Sequence, residues 1–342
     1  MKEGFPLKIL TSTILLFYLA ILTTSQFAYA QPTLAITVTT NKQTYKLEEN
    51  VNISGNLTLD GQPVTNGLVV IQVDYPSPHG LCTIRVLPTG SQPSPWLEIA
   101  EISKLYPSDE AGNPKDSFGK GTLAHFTIAW RNREETSHYI SICVSLYDVN
   151  NFPFITFIPT SGWVGPGEST NMTFSVPIPT DAPTGEATIY ANALSGFPKN
   201  GGFAYCPEKS ANFTITSSTT AMSKTQTVNP TYAEATYNLT FHLSTTGGTV
   251  GNYTIYASSM YRSIDTLLQE VTANATTTFE VMLLGDINNS GAVDLDDLLL
   301  LIDAFWSTPG EPNWNPNADI YCDGKINIDD LLLLIEHFWE HV

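Results

Sequence analysis

The stretch ADIYCDGKINIDDLLLLI, residues 318–335, surrounds a glycine with acidic residues and then runs directly into four consecutive leucines. The same pattern stands 33 residues upstream as GDINNSGAVDLDDLLLLI, residues 285–302. A charged loop that twice precedes an apolar run in the same register indicates a duplicated structural unit. The acidic loop and the leucines are therefore expected to act together.

The spacing of oxygen-bearing side chains in both copies is that of an EF-hand calcium loop. A hard cation takes about six to eight oxygen ligands, and a loop of about twelve residues supplies them if it turns sharply at a glycine in position 6. Gly291 and Gly324 hold that position, and position 7 contributes a backbone carbonyl. The predicted ligands of two Ca²⁺ ions are Asp286, Asn288, Ser290, Ala292, Asp294 and Asp297 in the first loop, and Asp319, Tyr321, Asp323, Lys325, Asn327 and Asp330 in the second.

Two positions of this ligand set are weak. Ser290 at position 5 is a poorer ligand than aspartate, and Tyr321 at position 3 is poorer still, so water is expected to take its place. Both sites are predicted to bind calcium with reduced affinity. Because the carboxylates repel one another until a cation lies between them, calcium is expected to fold each loop and start the helix that follows.

The leucine-rich helices are apolar on nearly all sides. Leu298, Leu301, Ile302 and Phe305 are predicted to share one face, whereas Leu299 and its neighbours spread onto others. Either the two helices bury all of this surface against each other, or the surplus face docks a partner. The predicted partner-contacting residues are Leu295, Asp296, Leu299, Leu300, Ile328, Asp329, Leu332 and Leu333.

Paired calcium loops that are each followed by one helix, without a helix before the loop, resemble a dockerin. The resemblance rests on GDINNSGAVDLDDLLLLIDAF and ADIYCDGKINIDDLLLLIEHF and spans Gly285 to Trp339. It implies two bound calcium ions and a cohesin-like protein partner, often within complexes that degrade polysaccharides. Many cellulosomal dockerins carry small hydroxyl residues at positions 10 and 11, where this chain has Leu295-Asp296 and Ile328-Asp329, so the resemblance does not imply a cellulosomal cohesin.

Charge is concentrated in the same segment. The chain has 342 residues and a net charge of -18, and from Gly285 onward twelve Asp and Glu residues face one lysine. Such a surface repels phosphates, so the composition argues against nucleic-acid binding. A hydrophobic content of 42% predicts a packed core rather than disorder.

The first thirty residues read as a secretory signal peptide. Lys2 and Lys8 precede a short apolar run, and Ala28-Tyr29-Ala30 provides a cleavage site; a retained membrane anchor is the alternative. No other segment is long and apolar enough to span a membrane, so we expect an extracellular, cell-surface protein without a stable span after cleavage. Eight Asn-x-Ser/Thr sequons agree with a glycoprotein, and a disulfide between Cys143 and Cys206 is predicted for this compartment.

The remainder of the chain has the period-two alternation and turn signals of antiparallel β-sandwiches. TNKQTYKLEENVNISGNLTLDGQPVTNGLVVIQV resembles macroglobulin-type or immunoglobulin-like modules, and GWVGPGESTNMTFSVPIPTDAPTGEATIYANAL resembles immunoglobulin-like adhesion modules of prokaryotic surface proteins. The predicted fold class is multidomain and mainly β, with immunoglobulin-like sandwiches followed by a small all-α calcium-binding dockerin. Predicted boundaries are 1–30 for the signal peptide, 31–95, 96–218 and 219–284 for three sandwiches, and 285–342 for the dockerin.

No catalytic motif stands out in the sequence, so a non-enzymatic docking protein is the first hypothesis. A second hypothesis is a glycan-binding accessory subunit of polysaccharide degradation. Exposed aromatic side chains that are coplanar on one sheet face, among them Trp96, Trp130 or Trp163, would favour it. A third is a cryptic glycoside hydrolase, in which two carboxylates such as Glu98 with Glu101, or Glu134 with Glu135, would have to converge in a cleft.

Overall fold

A computed structural model describes residues 32–90, 98–217, 235–244, 247–263, 269–321 and 323–341. The predicted signal peptide and Trp96 lie outside these ranges. Residues 34–342 cluster as one unit. Within the described ranges, no helix is both long and apolar enough to cross a membrane.

The first sandwich consists of two five-stranded sheets. One sheet contains β1 (Leu34–Ile36), β2 (Thr39–Thr40), β4 (Asn50–Leu59), β5 (Gln62–Pro63) and β16 (Thr236–His242). The other contains β3 (Thr44–Lys46), β6 (Leu68–Asp74), β7 (Leu81–Pro88), β17 (Gly251–Ser263) and β18 (Gln269–Met282). Alternating apolar residues from both sheets form its core.

The strand pairing of this sandwich corrects the predicted boundaries. Strand β16 pairs with β4, which places Leu239 opposite Ile53, and β17 pairs with β6, which places Ile255 opposite Val73. All four side chains lie in one buried cluster. The strands assigned to a third sandwich at 219–284 therefore complete the first one, because each of its two sheets contains strands from both segments.

The second sandwich lies in the chain between β7 and β16. Its smaller sheet contains β8 (Ala100–Ser108), β10 (Leu123–Asn132) and β13 (Ser169–Pro177). Its larger sheet contains β9 (Ser117–Gly119), β11 (His138–Tyr147), β12 (Pro153–Val164), β14 (Gly185–Leu194) and β15 (Lys209–Thr216). Phe126, Phe174 and Phe213 pack ring to ring in its core.

The two sandwiches share a buried apolar contact. Val70 and Ile84 of the first sandwich pack with Cys143 and Leu194 of the second. Cys143 thus lies on the opposite sheet face from Ile142 and Val144, as its alternation predicts.

This arrangement corrects the predicted disulfide. Cys143 and Cys206 are both free and buried. Cys206 packs in the core of the second sandwich, whereas Cys143 points from the same sheet toward the first sandwich. Because the two thiols belong to clusters on different faces, they do not meet.

The C-terminal module contains two helices, α1 (Leu295–Asp303) and α2 (Ile328–Glu336). Its core collects Val293, Leu301, Ile326 and Leu334, which are fully buried, together with Leu283 and Leu284 from the end of β18. Val250 of the first sandwich packs against this cluster. The Lys46 ammonium of β3 also donates to the backbone carbonyls of Asn317 and Asp319, at 3.4 and 3.3 Å.

Candidate metal centre and docking surface

The first loop closes around the carboxylate of Asp286. Its two oxygens accept hydrogen bonds from the backbone N–H groups of Ser290, at 2.9 Å, and Gly291, at 2.8 Å. The Asn288 side-chain oxygen accepts from the same Ser290 N–H at 2.8 Å. Gly291 has a φ of 86°, in the left-handed region that favours glycine, which is why the loop can turn there.

The second loop repeats this arrangement. Asp319 accepts from the backbone N–H groups of Asp323 and Gly324, each at 3.1 Å, and Gly324 has a φ of 79°. The copies differ at position 3, where the Tyr321 side chain is 60% exposed. The aromatic ring therefore points to solvent where the first loop has an amide oxygen beside the turn.

The last position of each loop is a fully buried carboxylate. Asp297 accepts from the backbone N–H groups of Ile287 at 2.8 Å, Asn288 at 3.1 Å and Asp294 at 2.9 Å. Asp330 accepts from Tyr321 at 2.9 Å and Asn327 at 2.8 Å. Asp294 and Asn327 cap the following helix, and with Asp297 and Asp330 they form a capping box in each copy. The side chains at positions 9 and 12 thus join each loop to its helix.

The oxygen donors of both loops fit a hard cation. They are carboxylate, amide, hydroxyl and carbonyl groups, without a sulfur or imidazole donor at the predicted positions, and this is the chemistry that calcium prefers. Within the described ranges, no three Asp, Glu, His or Cys side chains gather as a metal site by themselves. Any ion here would therefore also need the oxygens of Asn288, Ser290 and Asn327 and the carbonyls of Ala292 and Lys325.

The two halves of the module are joined crosswise at position 8 of each loop. Val293 of the first loop exchanges backbone hydrogen bonds with the end of the second half, accepting from Trp339 and donating to Glu340, both at 2.8 Å. Ile326 of the second loop does the same with Trp306 and Ser307, at 2.7 and 3.1 Å. Each loop is thus tied to the end of the opposite helix, and the module has an internal twofold relation.

Each helix presents an exposed row of apolar side chains, which we call an apolar stripe. The first stripe consists of Leu295, Leu299, Ile302 and Trp306, and the second of Ile328, Leu332, Ile335 and Trp339. Within each helix, the spacing of four and three residues places the first three side chains of the stripe on one face. The tryptophan follows the end of the helix at a positive φ, 65° for Trp306 and 76° for Trp339. Trp306 and Trp339 are 75% and 74% exposed, and each packs edge-on against the preceding phenylalanine.

The residues predicted to contact a partner differ in their exposure. Leu295, Leu299, Ile328 and Leu332 are exposed on the stripes, with Asp296 and Asp329 exposed beside them. Leu300 is 36% exposed, whereas Leu333 is partly buried against the module core.

Three further outcomes concern the stripes. Ile302, predicted to share a face with Leu301, is 56% exposed, whereas Leu301 is fully buried. Its equivalent Ile335 and the tryptophans Trp306 and Trp339 are also exposed on the stripes, but they were not among the residues predicted to contact a partner. The repeated spacing of 295, 299, 302 and 306 was the available signal.

Three of the four acids considered for a hydrolase form ion pairs with arginines, and the fourth, Glu135, is exposed. Glu98 pairs with Arg133 at 2.5 Å, Glu101 with Arg131 at 2.7 Å, and Glu134 with Arg262 at 2.9 Å. Of the tryptophans considered for glycan binding, Trp130 is buried and Trp163 is 73% exposed.

Two loops of EF-hand spacing, each followed by one helix and joined crosswise, define a duplicated helical module at the end of a mainly β chain. Residues 284–338 match the family model of the dockerin type I domain, so this segment is a dockerin type I domain. Dockerin type I domains bind calcium and cohesin modules.

No curated protein matches the chain in sequence. Similar solved structures include the C-terminal domain of Wzt, at 12% identity and a TM-score of 0.30, covering 37% of this chain and 85% of that one. They also include a Pseudomonas fluorescens alkylpurine DNA glycosylase, at 10% identity and a TM-score of 0.28, covering 35% of this chain and 31% of that one. A third is the CARDB domain of a Pyrococcus furiosus protein, at 16% identity and a TM-score of 0.23, covering 34% of this chain and 93% of that one. These likenesses carry no argument about function.

Proposed function

We propose that this chain is a secreted, non-catalytic binding protein whose dockerin attaches the paired β-sandwiches to a cohesin-like module in a calcium-dependent manner. The observation that carries the proposal is the pair of matching apolar stripes. Exposed tryptophan and leucine in one contiguous row are costly in water and typical of the energetic centre of a protein interface.

The surroundings of the stripes indicate the kind of partner surface that fits. Asp296 and Asp303 flank the first stripe, and the equivalent Asp329 and Glu336 flank the second, all of them exposed. A complementary partner has an apolar centre and basic residues at its rim, because opposite charges at a rim speed association and exclude wrong partners. The internal twofold relation lets either stripe present the same surface.

Calcium has a structural part in this proposal. In the first loop the ion would be held by Asp286, Asn288, Ser290, Asp294 and Asp297 with the carbonyl of Ala292. In the second it would be held by Asp319, Asp323, Asn327 and Asp330 with the carbonyl of Lys325, with Tyr321 as the weak position. A bound cation neutralises the clustered carboxylates and so stabilises the loop conformation. Because Asp294 and Asn327 also cap the helices, an ordered loop stabilises the helices that carry the stripes.

The test is binding of the full chain to a panel of immobilised recombinant cohesin modules, by biolayer interferometry in calcium and in EGTA. We expect binding in calcium and its loss in EGTA. The variant Leu299→Ala/Trp306→Ala and its equivalent Leu332→Ala/Trp339→Ala should each retain binding through the intact stripe. The variant that combines all four changes should lose at least about a hundredfold in affinity, since each pair removes two central apolar anchors.

The matched control is Leu123→Ala, which shortens an exposed leucine of the second sandwich, 54% exposed, and should leave binding unchanged. Absence of binding to every cohesin in calcium, or full affinity in the fourfold variant, would overturn the proposal.

A further inference from the structure

The second sandwich exposes two aromatic rings side by side, away from the dockerin stripes. Trp163 of β12 lies directly opposite Tyr139 of β11 in the strand register. Their ring centroids are 5.9 Å apart with an interplanar angle of 79°, and they are 73% and 40% exposed. The Tyr139 hydroxyl donates to the Ser161 hydroxyl at 3.0 Å. Tyr139 is thus held in place and supports the indole by its edge, while most of the indole remains open to solvent.

A groove of about 500 Å³ begins at Tyr139. Hydroxyls line it from Ser141, Ser161 and Ser195, together with the amide of Asn200 and the ring of Phe197. The turn 195–202 contributes three glycines, so few side chains narrow the groove on that side. Among the described residues that line it, none carries a charge.

The chemistry of this lining selects the ligand. An anionic polymer would be repelled by the chain's net charge of -18, since the groove itself has no positive charge to offset it. A cationic ligand would find no carboxylate in the lining to pair with. Hydroxyl and amide groups both donate and accept hydrogen bonds, and an exposed indole offers a flat apolar face. A pyranose ring with equatorial hydroxyls matches both features, because its C–H groups form an apolar face and its hydroxyls point outward around the rim.

We infer that this groove binds a neutral polysaccharide, with one sugar ring stacked on Trp163 beside the groove and its neighbours hydrogen-bonded along Ser161 and Asn200. Coplanar aromatics were the feature that would have favoured glycan binding, and these perpendicular rings are not coplanar. They provide one stacking surface, the indole, supported by a second ring. A proline-rich peptide is the other ligand that uses Trp and Tyr, but it fits slots between aromatic rings, and this edge-on pair forms none.

The test is affinity electrophoresis of the full chain in native gels containing hydroxyethyl cellulose, xylan or galactomannan, with polygalacturonate as the anionic comparison. We expect retardation in at least one neutral gel and none in polygalacturonate. Trp163→Ala should weaken the association at least about tenfold, as removal of a central aromatic anchor does. Asn200→Ala, an exposed change on the opposite side of the groove, should weaken it less, and Leu123→Ala should not change it.

Circular dichroism of each variant shows whether it is folded. If Trp163→Ala does not fold, Asn200→Ala still tests the groove. The inference is wrong if no neutral polysaccharide retards the folded chain, if retardation survives both Trp163→Ala and Asn200→Ala, or if the chain instead binds a proline-rich peptide through Trp163. Cohesin binding through the dockerin is measured separately, so either proposal can fail without the other.

Discussion

Asp297 and Asp330 show how a single carboxylate can organise a loop. Each is fully buried in the module core, and each ties the start of its loop to the first turn of its helix through backbone hydrogen bonds. A buried charge is tolerated when it is fully hydrogen-bonded, so these aspartates stabilise the fold in addition to their predicted part as metal ligands.

Replacing Asp297 with alanine should therefore destabilise the dockerin itself. The change leaves the N–H groups of Ile287, Asn288 and Asp294 without their acceptor, at a cost of about 3 kcal/mol or more. Hydrogen-exchange mass spectrometry of the full chain in EGTA should show faster exchange in peptides covering 285–303. Asp303→Ala, which removes an exposed carboxylate from the same helix, is the control and should leave exchange unchanged.

The cysteines give a second prediction at this scale. Burial raises the pKa of the Cys82 and Cys206 thiols to about 12 and also raises that of Cys143, so all three are protonated at pH 8. They should resist iodoacetamide in the native chain and react fully in guanidinium chloride, as peptide mapping would show. Detection of a peptide that joins Cys143 to Cys206 would contradict the structure.

At the scale of elements, strand β7 is an edge that the second sandwich covers. Ile84 exchanges hydrogen bonds with the Ser145 hydroxyl, donating its N–H at 3.1 Å and accepting at 2.9 Å, and the Val86 N–H donates to Glu208 at 3.1 Å. Glu208 also accepts from Arg85, whose guanidinium lies 3.3 Å from the ring centre of Tyr190. Side chains from the second sandwich thus satisfy backbone groups that an open edge would leave available for aggregation.

The variant Glu208→Ala should lower the free energy of unfolding by about 3–5 kcal/mol, because it leaves the Arg85 charge buried without its partner. Both side chains are largely buried, at 12% and 11% exposed. Glu101→Ala breaks the exposed pair with Arg131 and should cost less than about 1 kcal/mol. Urea denaturation of both variants measures the difference. Equal decreases in the free energy of unfolding would contradict the stabilising role of the Arg85–Glu208 pair.

For the dockerin helices, the sequence predicts where each helix begins better than which face is exposed. Both begin directly after position 9 of their loop, where the side chains of Asp294 and Asn327 accept from the first N–H groups of the helix. The exposed face was harder to assign, because a helix with six apolar residues in nine has no single apolar side. Crosswise pairing of Val293 and Ile326 with the opposite half buries Leu301 and Leu334 and leaves Ile302 and Ile335 in solvent.

At the scale of the whole molecule, the first sandwich is built from two distant parts of the chain. Residues 34–88 supply seven of its strands, and residues 236–282 supply the other three. The second sandwich has both of its sheets within 100–216. The predicted division into three consecutive sandwiches missed this interleaving.

Expression of fragments tests this architecture. Residues 31–95 alone should remain unfolded, because Val51, Ile53 and Leu57 lose the buried cover of Tyr237, Phe241 and Phe279. Residues 98–217 should fold, since their core is complete within the fragment. Far-ultraviolet circular dichroism and the dispersion of amide signals in proton NMR distinguish the outcomes; a cooperatively folded 31–95 fragment would contradict the pairing of β16 with β4.

Features that depend on neighbours in the chain were predictable from residue order alone. The loop spacing, the glycines at position 6, the capping residues and the period-two strands are local, and all of them are readable from residue order. Tertiary structure decided which strands share a sheet, which helix face is exposed, that Cys143 and Cys206 lie in different clusters, and that Trp163 stands beside an uncharged groove. These depend on contacts between residues far apart in sequence, where alternation makes many strand pairings similar in energy and only the assembled core selects one.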